Sequence, residues 1–196
     1  MKKRHFLSLA AIAGVAPALS HAQASQPSKS SKSSGPALLT VTGAITKTNR
    51  GAFDPVLDQM MGKQKLSFDK AHAFDFAALA GMPAVTIKPT LEYDKKPHEL
   101  RGPLLTTVLQ AAGAATGGKV AMRAVDGYAP TIPFADLTKY RFIVATHLDG
   151  KPMPLGGLGP LWAVYDADRF PDMAAKPVDQ RFASCPWGLY HIEVQA

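Results

Sequence analysis

Cysteine is almost missing from this chain: Cys185 stands alone among 196 residues. No internal disulfide can form, so the fold must stand on its core alone. Charged residues are sparse at 19%, and aromatic residues make up 8%. There is no basic stripe with interleaved aromatics, which argues against a nucleic-acid partner. His72, His98, His147 and His191 show no metal-ligand spacing. Ser184 lies in no nucleophile-elbow context. The Gly156-Gly157-Leu158-Gly159 run is followed by no Walker-type lysine. Beyond the N-terminal segment, no stretch approaches ~18 consecutive apolar residues, so the mature chain is not expected to be membrane-embedded.

What is present is an ordinary globular balance, with 46% hydrophobic residues. That is enough for one domain with a real core. The first 24 residues read as a signal peptide. Lys2, Lys3 and Arg4 form its charged region, and Phe6 to Leu19 is mostly apolar and too short to span a bilayer. Ser20-His21-Ala22 and Ala22-Gln23-Ala24 supply small residues where a signal peptidase needs them. A membrane anchor is the other reading, and these directly following sites weigh against it. Lys3-Arg4-His5-Phe6-Leu7 resembles a twin-arginine export signal with lysine in the first place, which leaves both export routes open. The expected location is the periplasm. Residues 25–37 form a Ser- and Lys-rich spacer that cannot bury enough surface to order itself. The folded domain is expected over 38–196. The formal charge of +7 includes Lys2, Lys3, Arg4, Lys29 and Lys32. Without those five the folded part carries about +2.

The pattern predicts a mostly β domain of the α+β class, with two or three helices packed on mixed sheet. Leu39 to Gly43 alternates apolar and polar, as a half-buried strand does. Phe53–Met61 reads as a short helix, Leu66–Phe68 as a strand, and 69–80 as a helix ended by Gly81-Met82-Pro83, although Phe74 and Phe76 fit either state. Val85 to Lys88 meets Pro89 and reads as an edge strand. Gly102-Pro103 is expected to open the clearest helix. Leu104, Leu105, Val108, Leu109 and Ala112 form its stripe, and Gly113 closes it. Strands follow from Lys119 and over Arg141–His147, Leu161–Tyr165 and Trp187–Val194, with a turn at Asp126-Gly127. Cys185 reads as a small buried apolar residue.

Several segments then fall in a characteristic order. They are Phe74-Asp75 with Leu79, Pro83 and Thr86-Ile87; Leu100 to Leu105; Ala124 to Tyr128 with Ile132-Pro133; Val144-Ala145 with Asp149 to Met153; Gly159 to Trp162; and Trp187 to Val194. Over about residues 38–196 this order is similar to that of short exported proteins labelled molybdopterin-dependent oxidoreductase-like. The resemblance implies the pterin-binding fold of sulfite oxidase. It also implies that a mid-domain cysteine should bind molybdenum in the enzymes proper, and this chain has none there; Cys185 lies close to the C-terminus. Molybdenum needs a soft, charged thiolate. Some short members of the fold bind a metal-free pterin in the periplasm and report it to a membrane protein that makes or destroys a cyclic dinucleotide. The resemblance thus implies a pterin-binding sensor or accessory protein with no bound metal. A molybdopterin-dependent oxidoreductase is the alternative.

A pterin is flat and presents adjacent donors and acceptors on one edge. Its site needs an apolar or aromatic platform, a carboxylate for the donors, and backbone or cationic groups for the acceptors. Asp126 is the carboxylate candidate, although an Asp-Gly turn needs no ligand to explain it. Tyr128 could stack or donate its hydroxyl, or simply pack in the core. Arg101, before Gly102-Pro103, could meet a carbonyl or an anion, or be a solvated strand residue. Met153 to Pro160, with Gly159, is a loop whose backbone can approach a ligand. Related sequences commonly carry Arg-Asp-Lys where this one has Gly156-Gly157-Leu158, so charges expected for a molybdopterin phosphate are missing. Trp162 and Trp187 complete the candidate set, each with core packing as the other reading. Trp162 and Tyr165, three apart, would face opposite sides of a regular strand.

Overall fold

The computed structural model describes residues 35–196. The signal-peptide reading and most of the spacer lie outside the described residues. Gly35 donates its amide to Asp75, and the first strand opens at Ala37. The class is α+β with sheet dominant, as the sequence predicts.

A five-stranded sheet forms the centre. Its strands are β1 (Ala37–Gly43), β2 (His72–Asp75), β5 (Lys119–Ala124), β6 (Thr131–Pro133) and β11 (Leu189–Gln195), in the order β2-β1-β11-β5-β6. β1 and β11 run parallel, and the other pairs are antiparallel. A second sheet joins β3 (Ala84–Ile87), β4 (Leu100–Pro103), β8 (His147–Leu148) and β9 (Lys151–Pro152) in that order. A pair of β7 (Ile143–Ala145) and β10 (Trp162–Val164) completes the strands. The described residues hold five short helices: α1 (Gln59–Lys63), α2 (Phe76–Ala80), α3 (Leu105–Ala111), α4 (Phe134–Lys139) and α5 (Pro171–Ala174). None is long and apolar enough to cross a membrane.

β1 is not half-solvated, because both its faces are covered. Leu39 and Val41 enter the apolar core, while Thr40 and Thr42 lie buried on the other side. Arg50 donates to Thr40 Oγ1, and Thr42 Oγ1 lies 2.9 Å from His191 Nε2. The alternation therefore separates an apolar layer from a sealed polar one.

Three further expectations shift. The helix over 69–80 begins only at Phe76. His72 to Asp75 instead pairs with β1, and Asp75 caps α2 by accepting from the Ala78 amide at 2.7 Å. Leu66–Phe68 forms no strand; Phe68 packs edge-on against Phe53, with 6.1 Å between ring centroids. The helix over Phe53–Met61 moves to Gln59–Lys63, because Asp54 first binds the Val56 and Leu57 amides in a local turn.

Gly102-Pro103 does not open a helix either; it ends β4, and α3 begins after Leu104. The glycine is needed for close approach, since a β-carbon there would sit 1.9 Å from the Val144 carbonyl oxygen. Of the expected stripe, Leu105, Val108, Leu109 and Ala112 are buried, while Leu104 stands before the helix and is half-buried; β3 is an edge strand as predicted. Trp162 and Tyr165 are both in the core, at 1% exposure each. β10 ends at Val164, so Tyr165 leaves the pleat, and both rings meet Phe182.

Candidate functional site

The end of β5 and the approach to β11 meet beside an open cavity of about 310 Å³. Asp126 and Gly127 turn the chain out of β5, with Gly127 at φ 94°, a conformation that favours glycine. Asp126 Oδ1 accepts from the Tyr128 amide at 2.9 Å, and Asp126 remains exposed. The Tyr128 hydroxyl donates to the Ala183 carbonyl, which ties this turn to the segment carrying Cys185 and Trp187. Tyr128 is 50% exposed and Trp187 37%, so both rings stay available at the cavity.

The Trp187 segment is held from behind. Trp162 donates its indole N–H to the Cys185 carbonyl at 2.9 Å and bridges to Trp187 through the backbone. Trp162 thus positions the cavity wall from within the core.

Three carboxylates line the cavity: Asp126, Glu92 and Asp179. No lysine, arginine or histidine lines it. Glu92 and Tyr93 come from the turn between β3 and β4. Burial, helped by the Glu92 charge, pushes the Tyr93 hydroxyl up to about 12, so it stays a neutral donor at physiological pH. Cys185 is 4% exposed yet borders the cavity. Burial pushes its thiol up, away from the thiolate form.

A neighbouring cavity of about 340 Å³ shares Tyr93 and Trp187 and is walled by Val125 and the loop Leu155 to Gly159. Gly159 is packed tightly there, since a β-carbon would lie 2.6 Å from the Met153 side chain.

Of the residues singled out from the sequence, Asp126, Tyr128 and Trp187 come together at the first cavity, and Gly159 joins Trp187 at the second. Met153 is 5% exposed and supports Gly159 from the core. Trp162 is buried as described. Arg101 is exposed on β4, opposite Thr86 and His147, and lines neither cavity. Glu92, Tyr93, Asp179 and Phe182 were not singled out. No local signal marks them: the Glu92-Tyr93-Asp94 run between Pro89 and Pro97 reads like any polar surface turn. Among the described residues, no group of three or more His, Cys, Asp or Glu is arranged to hold a metal ion.

No protein-family model matches the chain, and no curated protein matches it. Among solved structures, the chain is similar to the sulfane dehydrogenase SoxCD from Paracoccus pantotrophus, at 14% identity and a TM-score of 0.49. The match covers 80% of this chain and 37% of that one.

Proposed function

We propose that this chain is an exported pterin-binding protein whose ligand is metal-free and unphosphorylated, acting in the periplasm as a sensor or accessory to a membrane cyclic-dinucleotide signalling protein. The observation that carries this reading is the meeting of Asp126, Tyr128 and Trp187 at one open cavity. One oxygen of Asp126 is fixed by the Tyr128 amide, which sets the carboxylate's orientation. The other can accept from a ligand N–H pair, a charge-assisted contact. Trp187 and Tyr128 offer ring faces for a flat heterocycle. Tyr93 offers a neutral hydroxyl donor beside the same wall.

Molybdopterin fits these residues poorly. Its phosphate needs cations, and the lining supplies three carboxylates and none of the cations. Its metal needs a thiolate, and burial disfavours that form at Cys185. The one observation on the oxidoreductase side is that Cys185 borders the cavity. Stoichiometric molybdenum in protein purified from its native host would favour that second reading.

Titration calorimetry with a simple pterin tests the proposal. Asp126→Ala should weaken binding by about 1.5–3 kcal/mol, the range for a hydrogen bond to a charged group. That is roughly ten- to hundredfold. Asp126→Asn keeps an acceptor for the Tyr128 amide and should still lose affinity, which separates ligand contact from turn formation. Equal affinity in all three proteins would refute the assignment.

A further inference from the structure

A smaller pocket of about 140 Å³ lies at the edge strand β3, the Tyr140-Arg141 corner before β7 and the turn Asp166 to Phe170. It shares no lining residue with the two cavities above. Val85, Ile87, Tyr140 and Phe170 give it apolar walls, and the last two rings meet edge to face at 5.2 Å. Three charged side chains complete the lining: Asp166, Arg141 and Arg169.

Asp166 is only 9% exposed. Its Oδ2 receives a long contact from the Lys88 amide at 3.4 Å, and its Oδ1 is buried with no hydrogen-bond partner. A buried polar atom left unpaired costs about 1–3 kcal/mol and calls for an explanation. Arg141 is held at φ 53°, a crowded conformation for any residue with a β-carbon. Neither guanidinium makes a hydrogen bond or salt bridge within the described residues. One desolvated carboxyl and two exposed guanidinium groups, neither hydrogen-bonded within the described residues, thus border one small apolar hollow.

We propose that this pocket binds a small zwitterion, an α-amino acid with a short apolar side chain. The ligand ammonium supplies the donors that Asp166 lacks. The ligand carboxylate meets Arg141 and Arg169, and the side chain covers Val85, Ile87 and Phe170. A plain amine would face two guanidinium groups with nothing to give them. A plain carboxylate would leave Asp166 unpaired. The torsion of an aspartate carboxyl is broad and twofold, so either oxygen can turn toward the ligand. The volume corresponds to about four or five waters, the scale of alanine to valine.

Calorimetric titration of the mature protein with L-valine, isobutylamine and isobutyrate tests this. Saturable binding of valine is expected, with the amine and the acid each at least tenfold weaker. Asp166→Asn and, separately, Arg141→Asn should each weaken valine at least tenfold. Asparagine tolerates the backbone at position 141, so that variant keeps the test open if Asp166→Asn folds poorly. An excess of pterin should leave the valine titration unchanged. The proposal is overturned if no apolar amino acid binds and the pocket holds water alone. Valine binding unaltered by both substitutions, or an amine or acid binding as well as valine, overturns it equally.

Discussion

The open acidic cavity and the sealed polar groups of this domain follow opposite rules. In the cavity, Asp126, Glu92 and Asp179 stand near one another with no cation among the lining residues. Water reaches Asp126 and Asp179, so their charges are hydrated and screened. The sealed groups have no such relief. Burial pushes the Asp166 carboxyl above its ordinary value and drives the His191 imidazole down to about 4. Arg123 Nε is also buried without a partner. Open polar groups can be kept for what they bind. Sealed ones, whether or not a ligand reaches them, are also felt as a dependence of stability on pH.

The largest effect expected from that contrast is at His191. It lies on β11 at 2% exposure, with Nε2 2.9 Å from Thr42 Oγ1. Burial is the main cause of its shift, and the Arg123 and Arg50 charges add to it. A folded-state value below the ordinary 6.5 means that the neutral ring's contribution is complete above pH 6.5 and is lost as pH falls through about 4. The loss should approach about 3 kcal/mol. Urea unfolding between pH 7.5 and 4 measures it. His191→Gln can keep a bond to Thr42 and does not titrate, so its stability should fall less over this window. Parallel losses in the two proteins would break the contrast between sealed and open groups.

A somewhat smaller effect is expected in the open cavity. A phosphorylated pterin would bring negative charge toward three carboxylates. One pair of unit charges ~8 Å apart near a surface repels by about 2 kcal/mol. The phosphorylated ligand should therefore bind at least tenfold more weakly than the free pterin at low salt. Salt should narrow the gap, and so should Glu92→Gln combined with Asp179→Asn. Equal affinities for the two ligands at low salt would show that the acidic lining does not select.

The same contrast explains what the sequence makes legible. β3, β5 and β11 and the stripe of α3 carry their periodicity locally, so they are readable. β2 is not, because His72 to Asp75 becomes a strand only by pairing with β1. The role of Gly102 is likewise hidden, since the carbonyl it avoids belongs to Val144. At the site, Asp126 and Tyr128 form one local unit with a recognisable turn. Glu92 and Asp179 come from distant segments, and nothing local separates a lining acid from any other surface acid. Arg101 and Met153 are picked out by their motifs, but the fold places one on an exposed strand face and the other in the core. Asp166 gives no warning at all; its burial comes from elements that meet it only after folding.

The smallest effect concerns that buried carboxyl and has the opposite sign to His191. The pKa of Asp166 is raised by burial, which the Lys88 amide and the Arg169 charge only partly offset. A group with a raised folded-state value contributes fully below its ordinary 3.8, and that contribution is lost as pH rises through the folded value. Asp166→Asn does not titrate there. Relative to the parent, it should be more stable at pH 7 by about 1 kcal/mol, with the advantage shrinking toward pH 3.5. Comparing parent and variant at each pH cancels the loss at His191, which both proteins share. If the advantage instead grows toward acid, the carboxyl is not desolvated as the structure has it. If it vanishes at pH 7 only when valine is present, the zwitterion restores to Asp166 the partner that the fold withholds.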